Sequence, residues 1–228
     1  MTRIRSDRLW DLSQPVTHDG PAWAEYDPPV VQHNYRRAAE GFNAETLRLN
    51  THTGTHVDVP HHFDDAGATI EQVPLSAFAA PASFLDLRER VRAGEPIGPA
   101  QLEPAVEQVQ EGDIAVLVTG WGDRRAVSEE FLKRWPYLDG DGARLLLDRG
   151  VAGVGIDALS IGGWGGPERG EPSHLALLGA GKVIVEDLRV PDELAGRRCF
   201  ITAFPVLLAG CGGAWTRAVA WELDEDGA

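Results

Sequence analysis

Cysteine, lysine and methionine are scarce in this 228-residue chain: two, two and one respectively. Cys199 and Cys211 form no CxxC pair and do not sit among the histidines, which excludes a disulfide scaffold or a thiolate metal cage and reads both as reduced core thiols. No apolar run approaches the roughly eighteen residues of a membrane-spanning helix, and the basic first ten residues lack the apolar stretch of a secretory leader. The default expectation is a cytoplasmic protein. Positive charge is also short, with 21 Lys and Arg against 35 Asp and Glu, a formal net charge of −14 and a pI near 4.8. Such a mean field repels polyanions, so neither nucleic acid nor an anionic membrane is expected as a partner. Several catalytic loops are missing as well. There is no G-x-S-x-G elbow, so a serine triad with His174 and Asp157 is not expected, and no Walker loop or G-x-G-x-x-G follows a strand. Gly162-Gly163-Trp164-Gly165-Gly166 lacks the Lys-Ser/Thr ending of a phosphate loop and reads as a flexible loop near His174 or, failing that, a pocket wall.

What is present in excess is histidine in one place. Residues 51–63 read T-H-T-G-T-H-V-D-V-P-H-H-F and hold four of the seven histidines together with Asp58. In an extended strand, His52, Gly54, His56, Asp58, Pro60 and His62 share one face, because side chains alternate. Three imidazoles and a carboxylate on one face suit a divalent metal of intermediate softness, such as zinc, manganese or ferrous iron, and are unfavourable to bury together without a cation. A helical reading would also align His52 with His56, as in H-E-x-x-H. The intervening Thr-Gly-Thr, however, lacks the Glu and disfavours helix. A straight strand would spread His52 and His62 over about 33 Å, so the segment must bend, and Gly54 and Pro60 are the residues that permit it. His61 points to the opposite face and reads as structural, while isolated His18 and His33 read as surface residues.

Hydrophobic content of 43% and charged content of 25% are ordinary for a globular protein, and the length suits one domain with a sizeable core. Strand and helix signals alternate. Strands are expected at Trp10 to Ser13, Leu47 to Val59, Ser83 to Leu87, Ile114 to Thr119 and Val151 to Ile156, and helices at Gly98 to Val109, from Ser128 through Trp135, and at Gly142 to Arg149. The β-α-β rhythm predicts an α/β chain with a central sheet and flanking helices. The long loop from Pro15 to Pro29 carries Trp23 and Tyr26, as a loop that lines a pocket or an interface commonly does. Further on, Ser173 is expected to cap a short helix presenting His174 in its first turn. The apolar strand Val183-Ile184-Val185 ends in Glu186, a carboxylate that needs a partner or a metal. Spacing alone leaves ligation by His174 and Glu186 undecided.

The run His52-Thr-Gly-Thr-His56-Val-Asp58-Val-Pro60-His-His62 resembles the H-x-G-T-H-x-D-x-P-x-H signature of the cyclase-like metal-dependent hydrolases, a family that includes bacterial kynurenine formamidases and isatin hydrolases. The likeness extends over most of the chain, through Asp11-Leu-Ser13, Gly155-Ile-Asp157-Ala-Leu-Ser160, His174-Leu-Ala-Leu-Leu-Gly179, Val183-Ile-Val-Glu186-Asp-Leu188 and Phe204-Pro-Val-Leu-Leu-Ala-Gly. It implies a single domain, residues 1–228, with a swivelling β/β/α architecture built on a mixed sheet, and a pair of metal ions, zinc or alternatively manganese. By the same resemblance His52, His56 and Asp58 hold the first metal, with Asp58 bridging to the second. His174 belongs to the second metal, Glu186 is the shared carboxylate, His62 is proton donor and acceptor, and Trp23 lines the substrate pocket. Two stretches depart from the family pattern, Trp23-Ala24-Glu25-Tyr26-Asp27 and Gly213-Ala214-Trp215-Thr216, and both bear on the pocket.

The implied activity is hydrolysis of a linear or cyclic amide, such as an aryl formamide or a lactam-like ring, by water that the cations activate, with His62 carrying the proton. The alternatives are a dehydrating cyclase or lactonase, and a catalytically silent metal-stabilised scaffold. A small-molecule substrate and a homodimer or higher assembly complete these expectations.

Overall fold

Ile114–Val118 is apolar without alternation, as a strand covered on both faces should be, and every residue in it is buried. In the computed structural model, which describes residues 3–224, this strand lies at the middle of a nine-stranded sheet. The order across the sheet is Arg3–Asp11, Val219–Asp224, Arg198–Thr202, Ala79–Asp86, Ile114–Val118, Gly153–Ile156, Val183–Glu186, His56–Asp58 and Gly213–Trp215. The four strands from Ala79–Asp86 to Val183–Glu186 run parallel, joined by crossovers that carry the helices, and the flanking strands pair antiparallel. The expected α/β class with a mixed sheet is what forms.

Alternation along these strands divides the core. Leu85, Leu117, Ile156 and Ile184 face the helices, packing with Leu146 of Gly140–Asp148 and with Leu177 and Leu178 of Pro167–Gly179. Phe84, Val116, Val57 and Val185 face the other way, under Leu12, Ile70, Phe78 and Leu188 from loops and short turns. The helices therefore gather on one face, and that is the face on which the histidine cluster opens.

Several elements differ from expectation for local reasons. Pro104 divides the helix expected over Gly98 to Val109 into Pro99–Leu102 and a 3-10 turn at Ala105–Gln108, since proline donates no hydrogen bond and disfavours helix at the residue before it. The strand expected from Leu47 to Val59 is interrupted. Ala44–Arg48 pairs with Val30–Tyr35 in a separate hairpin, residues 51–55 turn, and only His56–Asp58 joins the large sheet. Ser173 does not cap the helix of His174. That helix begins at Pro167, where a missing N–H costs nothing, and Ser173 and His174 lie buried at its middle and just past it. Among the caps that do form, Ser128 Oγ accepts from Phe131 N at 3.2 Å and Asp139 Oδ1 from Gly142 N at 2.7 Å.

Asp157 follows Gly153–Ile156 and is buried. It accepts hydrogen bonds from Thr119 N (2.9 Å), Thr119 Oγ1 (2.5 Å) and Gly120 N (2.7 Å), fastening the turn after Ile114–Val118 to the next strand. Burial pushes its carboxyl up to about 6 against the pull of those donors. Asp157→Ala should leave two backbone N–H groups buried without acceptors and lower the unfolding free energy by about 3 kcal/mol. Urea unfolding followed by circular dichroism checks this, and an unchanged midpoint would contradict it.

Candidate metal centre

The local chain path explains how histidines only a few residues apart come to face one another. Gly54 adopts a left-handed backbone (φ 75°), and a Cβ there would lie 2.6 Å from Val16 Cγ2, so only glycine makes this turn comfortably. His52 is held before the turn by its N–H, which donates to Asn50 Oδ1 at 2.9 Å. After the turn His56–Asp58 enters the sheet, and Pro60 then opens a 3-10 turn that swings His62 back. The His62 ring stacks on that of His52, with centroids 3.9 Å apart and planes 24° apart. The bend expected at Gly54 and Pro60 is present, and the ligand face is a folded loop with a strand rather than one extended strand.

Antiparallel pairing supplies the distant carboxylate. Glu186 sits opposite His56, and Ile184 opposite Asp58, so all four side chains share a face. His174 reaches the same point from the helix packed above. Asp58 Oδ1 lies 2.7 Å from His52 Nδ1 and 3.3 Å from His56 Nε2, while its Oδ2 lies 3.9 Å from His174 Nε2. Glu186 Oε2 is 3.4 Å from His56 Nε2 and its Oε1 is 3.2 Å from His174 Nε2. Ser160 Oγ (3.0 Å) and Ile161 N (2.6 Å) donate to Glu186 Oε1 and fix that carboxylate.

The donor set fits a metal. His56 Nδ1 lies 2.8 Å from Gly54 O and His174 Nδ1 lies 2.6 Å from Gly170 O. A carbonyl can only accept, so each ring carries its hydrogen on Nδ1 and, when neutral, turns the Nε2 lone pair inward, as a ligating imidazole does. His56 Nε2 and Asp58 Oδ2 are buried and have no hydrogen-bond partner in the protein. Donor atoms of His52, His56 and Asp58 lie within 4.8 Å of one another, and so do those of Asp58, His62 and His174, so either group could hold a metal ion. Asp58 belongs to both. The second grouping also offers His62 as a ligand, beside the proton-carrying role expected for it.

The electrostatics agree. Burial works against charge on His56, but Asp58 and Glu186 outweigh it and hold the imidazole well above its usual range. His174 is raised in the same way, against its burial, by Glu186 and Asp58. Burial and Asp58 act upward on Glu186, yet His174 and His56 bring it down to about 2. His62 behaves differently. Burial pushes it down to about 4, with repulsion from His52 and His174 adding to that and Asp58 opposing it, so it is neutral at pH 7.

Above the cluster opens a cleft of about 630 Å³ lined by Trp23, Tyr26, Phe63, Trp164, His62 and His174, among others. Trp23 packs at 5.0 Å from Trp164 and 5.6 Å from Trp135, so the long loop does line a pocket. The glycine-rich segment is part of the wall. Gly163 lies against the Tyr137 ring, which a Cβ would meet at 2.6 Å. All seven residues singled out from sequence, His52, His56, Asp58, His62, His174, Glu186 and Trp23, lie in or beneath this cleft. His18 and His33 are on the exposed hairpin side, and Asp157 is committed to the Thr119 turn. Two further residues shape the site, Phe63 without a sequence signal and Gly213 from one of the two stretches that depart from the family pattern. Phe63 stacks on His174 with centroids 4.6 Å apart, and Gly213 leaves the space that the His52 ring occupies.

A nine-stranded mixed sheet with a buried His, Asp and Glu cluster at the edge of its parallel core defines the metal-dependent, cyclase-like class. The family model described as "Putative cyclase" matches residues 10–162, and the chain belongs to that family. It is 29% identical over 217 residues to a kynurenine formamidase of Bacillus thuringiensis (strain Al Hakam), covering 95% of this chain and 98% of that one. Among solved structures it is similar to one described as a "predicted metal-dependent hydrolase" from Bacillus stearothermophilus (29% identity, TM-score 0.76, 94% and 98% covered). It shares its fold with isatin hydrolase A from Labrenzia aggregata (20% identity, TM-score 0.84, 95% and 94% covered).

Gly213→Ala would drive a Cβ into the His52 ring. The expected result is a cation affinity weakened by about 10-fold or more with the sheet intact, since misdirecting a ligand by a neighbouring group has effects of that order. Isothermal titration with zinc or manganese reads it, and wild-type affinity would show that His52 has room to move.

Proposed function

We propose that this enzyme hydrolyses an amide bond attached to an aromatic ring, an aryl formamide or a lactam-like ring, at a centre of two divalent cations, zinc or manganese. The observation that carries the reading is the convergence of His52, His56, Asp58, His174 and Glu186 beneath an aromatic cleft, with His56 Nε2 and Asp58 Oδ2 buried and unpartnered. In this reading His52, His56 and Asp58 hold one cation, and Asp58, His174 and Glu186 the other. When bound, such cations supply Lewis acidity and lower the pKa of water toward about 7. The kynurenine formamidase and isatin hydrolase likenesses support an amide substrate.

The chain's own residues do the rest. Trp23, Tyr26 and Trp164 offer flat faces on which an aryl group can stack, and the cleft is of ordinary size for a small ligand. The same cleft is lined by His52, His62, His174 and Glu186, so a ring stacked there has its amide within the cleft that holds these groups. Phe63 and the Gly163 to Gly166 wall exclude bulk water from one side. His62 Nδ1 or Nε2, held against the His52 ring and neutral at pH 7, accepts the proton of the attacking water and returns it to the departing nitrogen, which is a poor leaving group as an anion. If His62 holds no cation, a purely structural pair of cations leaves it without a task.

We also read the chain as a homodimer. The hairpin of Val30–Tyr35 and Ala44–Arg48 stands apart from the large sheet, with Leu47 56% exposed and Tyr35 stacked on Phe42 in solvent. A lone two-stranded ribbon is marginal in water, so a second copy covering it is the natural support. Sedimentation equilibrium should give twice the mass of the 24.7 kDa chain, and a monomer would remove this reading.

Metal analysis followed by turnover of N-formyl arylamines, isatin-like lactams and lactones tests the activity. Hydrolysis of the first two, abolished by chelation and restored by zinc or manganese, is the expected outcome. Turnover of none by the fully loaded protein would overturn it. His62→Asn should lower kcat by about 10²- to 10⁴-fold with cation content unchanged. A parallel loss of cation would make His62 a ligand instead.

A further inference from the structure

Asp187 follows Glu186 with a left-handed backbone (φ 54°), uncommon for a residue with a side chain. Three contacts hold it there. Its N–H donates to Ala158 O at 2.8 Å. Its carbonyl accepts from Thr55 Oγ1 at 2.6 Å, and Thr55 immediately precedes His56. Its carboxylate, 1% exposed, is gripped through both oxygens by Nη1 of Arg125, itself only 11% exposed. Arg125 comes from the loop after Ile114–Val118, and its Nη2 reaches the carbonyl of Pro21 at 3.5 Å, two residues before Trp23. Thr55 Oγ1 in turn accepts from Gln14 N at 2.8 Å, and Gln14 Nε2 donates to Gly122 O at 2.8 Å, so the same loops are tied a second time. Neither Arg125 nor Asp187 lines the cleft.

We propose that Arg125 is a positioning residue that links the floor of the site to its wall. Its ion pair with Asp187 sets the direction in which Glu186 and, through Thr55, His56 meet the cluster, and its contact with Pro21 sets the loop that carries Trp23 and Tyr26. The proposal rests on the reading of Glu186 and His56 as cation ligands. Without the guanidinium, the Asp187 carboxylate is a buried charge with no partner, and the strained backbone beside Glu186 loses what holds it. A displacement of about 1 Å at a site of this kind is enough to be felt in binding and turnover.

The test compares Arg125→Met and Arg125→Lys in the full chain by equilibrium dialysis with zinc or manganese and by steady-state kinetics on an aryl formamide. Arg125→Met should weaken cation binding and raise KM, each by about 10-fold or more. Arg125→Lys should recover most of the cation affinity, because an ammonium can still meet Asp187, but little of the KM, because a single head group cannot also reach Pro21. Wild-type cation affinity and KM in Arg125→Met would overturn the proposal, whether or not the melting temperature has fallen. Should Arg125→Met not fold, Arg125→Met with Asp187→Asn leaves no unpartnered buried charge and is judged by the same two readings. A wild type that binds no cation overturns the site reading and this link with it, whereas a wild type that binds cation while Arg125→Met matches it overturns the link alone.

Discussion

The site depends on three residues of strand pairing. His56–Asp58 lies between Val183–Glu186 and Gly213–Trp215, and its register puts Glu186 opposite His56 with Asp58 two residues along on the same face. A slip of one residue would turn His56 and Asp58 to the other side of the sheet. What prevents the slip is the apolar side of the same strands. Val57 and Val185 face the core beneath, where burial of each contributes about 1.5–3 kcal/mol, and neither could exchange places with a charged neighbour. Packing on one face thus imposes on the other an arrangement of charges that would not assemble by itself.

That division explains what the sequence makes visible. The grouping of His52, His56, Asp58 and His62 is legible because its causes are local: alternation places His56 with Asp58, and the bends at Gly54 and Pro60 bring His52 and His62 to them. Glu186 and His174 enter from more than a hundred residues away, through a sheet order that no local pattern encodes, and only the likeness to a family brought them in. The helix of His174 starts earlier than Ser173 suggests, because Ser173 is a good cap in isolation, while Pro167 at the first helical position is an equally local signal that wins once the glycine-rich wall packs against Tyr137 and Gly170. The strand from Leu47 was carried too far for the opposite reason. Its alternation is real, but residues 51–55 must turn to bring His52 over His62, and the first half pairs instead in the exposed hairpin. Phe63 and the Arg125 to Asp187 pair are beyond reach of the sequence because their roles are defined by what they touch, and Gly213 is marked there only as part of a stretch that bears on the pocket, not as the residue that makes room for His52.

The wall of the cleft is assembled differently from its floor. Floor residues come from two neighbouring strands, a helix and the two turns that flank His56–Asp58. Trp23 and Tyr26 come from a loop, and Trp164 from a glycine-rich turn. Glycines at 162 and 163 let the backbone approach Gly170 and Tyr137 closely, so Trp164 is projected by a rigid segment although it sits among five residues of which four are glycine. Trp23, Glu25 and Tyr26, from the stretch read in sequence as a departure from the family pattern, lie in this wall rather than in the floor. Differences of substrate within one fold are expected to collect there.

The floor also has to be neutral enough to exist. Asp58 and Glu186 bring two negative charges into a place from which water is almost entirely excluded, and burial of that kind is unfavourable by several kcal/mol per ion unless the charge is met. Among the described residues the imidazoles meet that charge, and Asp58 and Glu186 hold His56 and His174 above their ordinary range against the effect of burial. The compensation is incomplete, since a proton on His56 Nε2 finds no hydrogen-bond geometry and Asp58 Oδ2 still has no donor. A divalent cation bound there would be held by Asp58, Glu186 and the Nε2 atoms of His56 and His174, and would supply positive charge in place of the protons. Proton and cation therefore compete for one set of atoms, and the Nδ1 hydrogen bonds to Gly54 and Gly170 keep both rings in the orientation that turns the contested Nε2 lone pair inward.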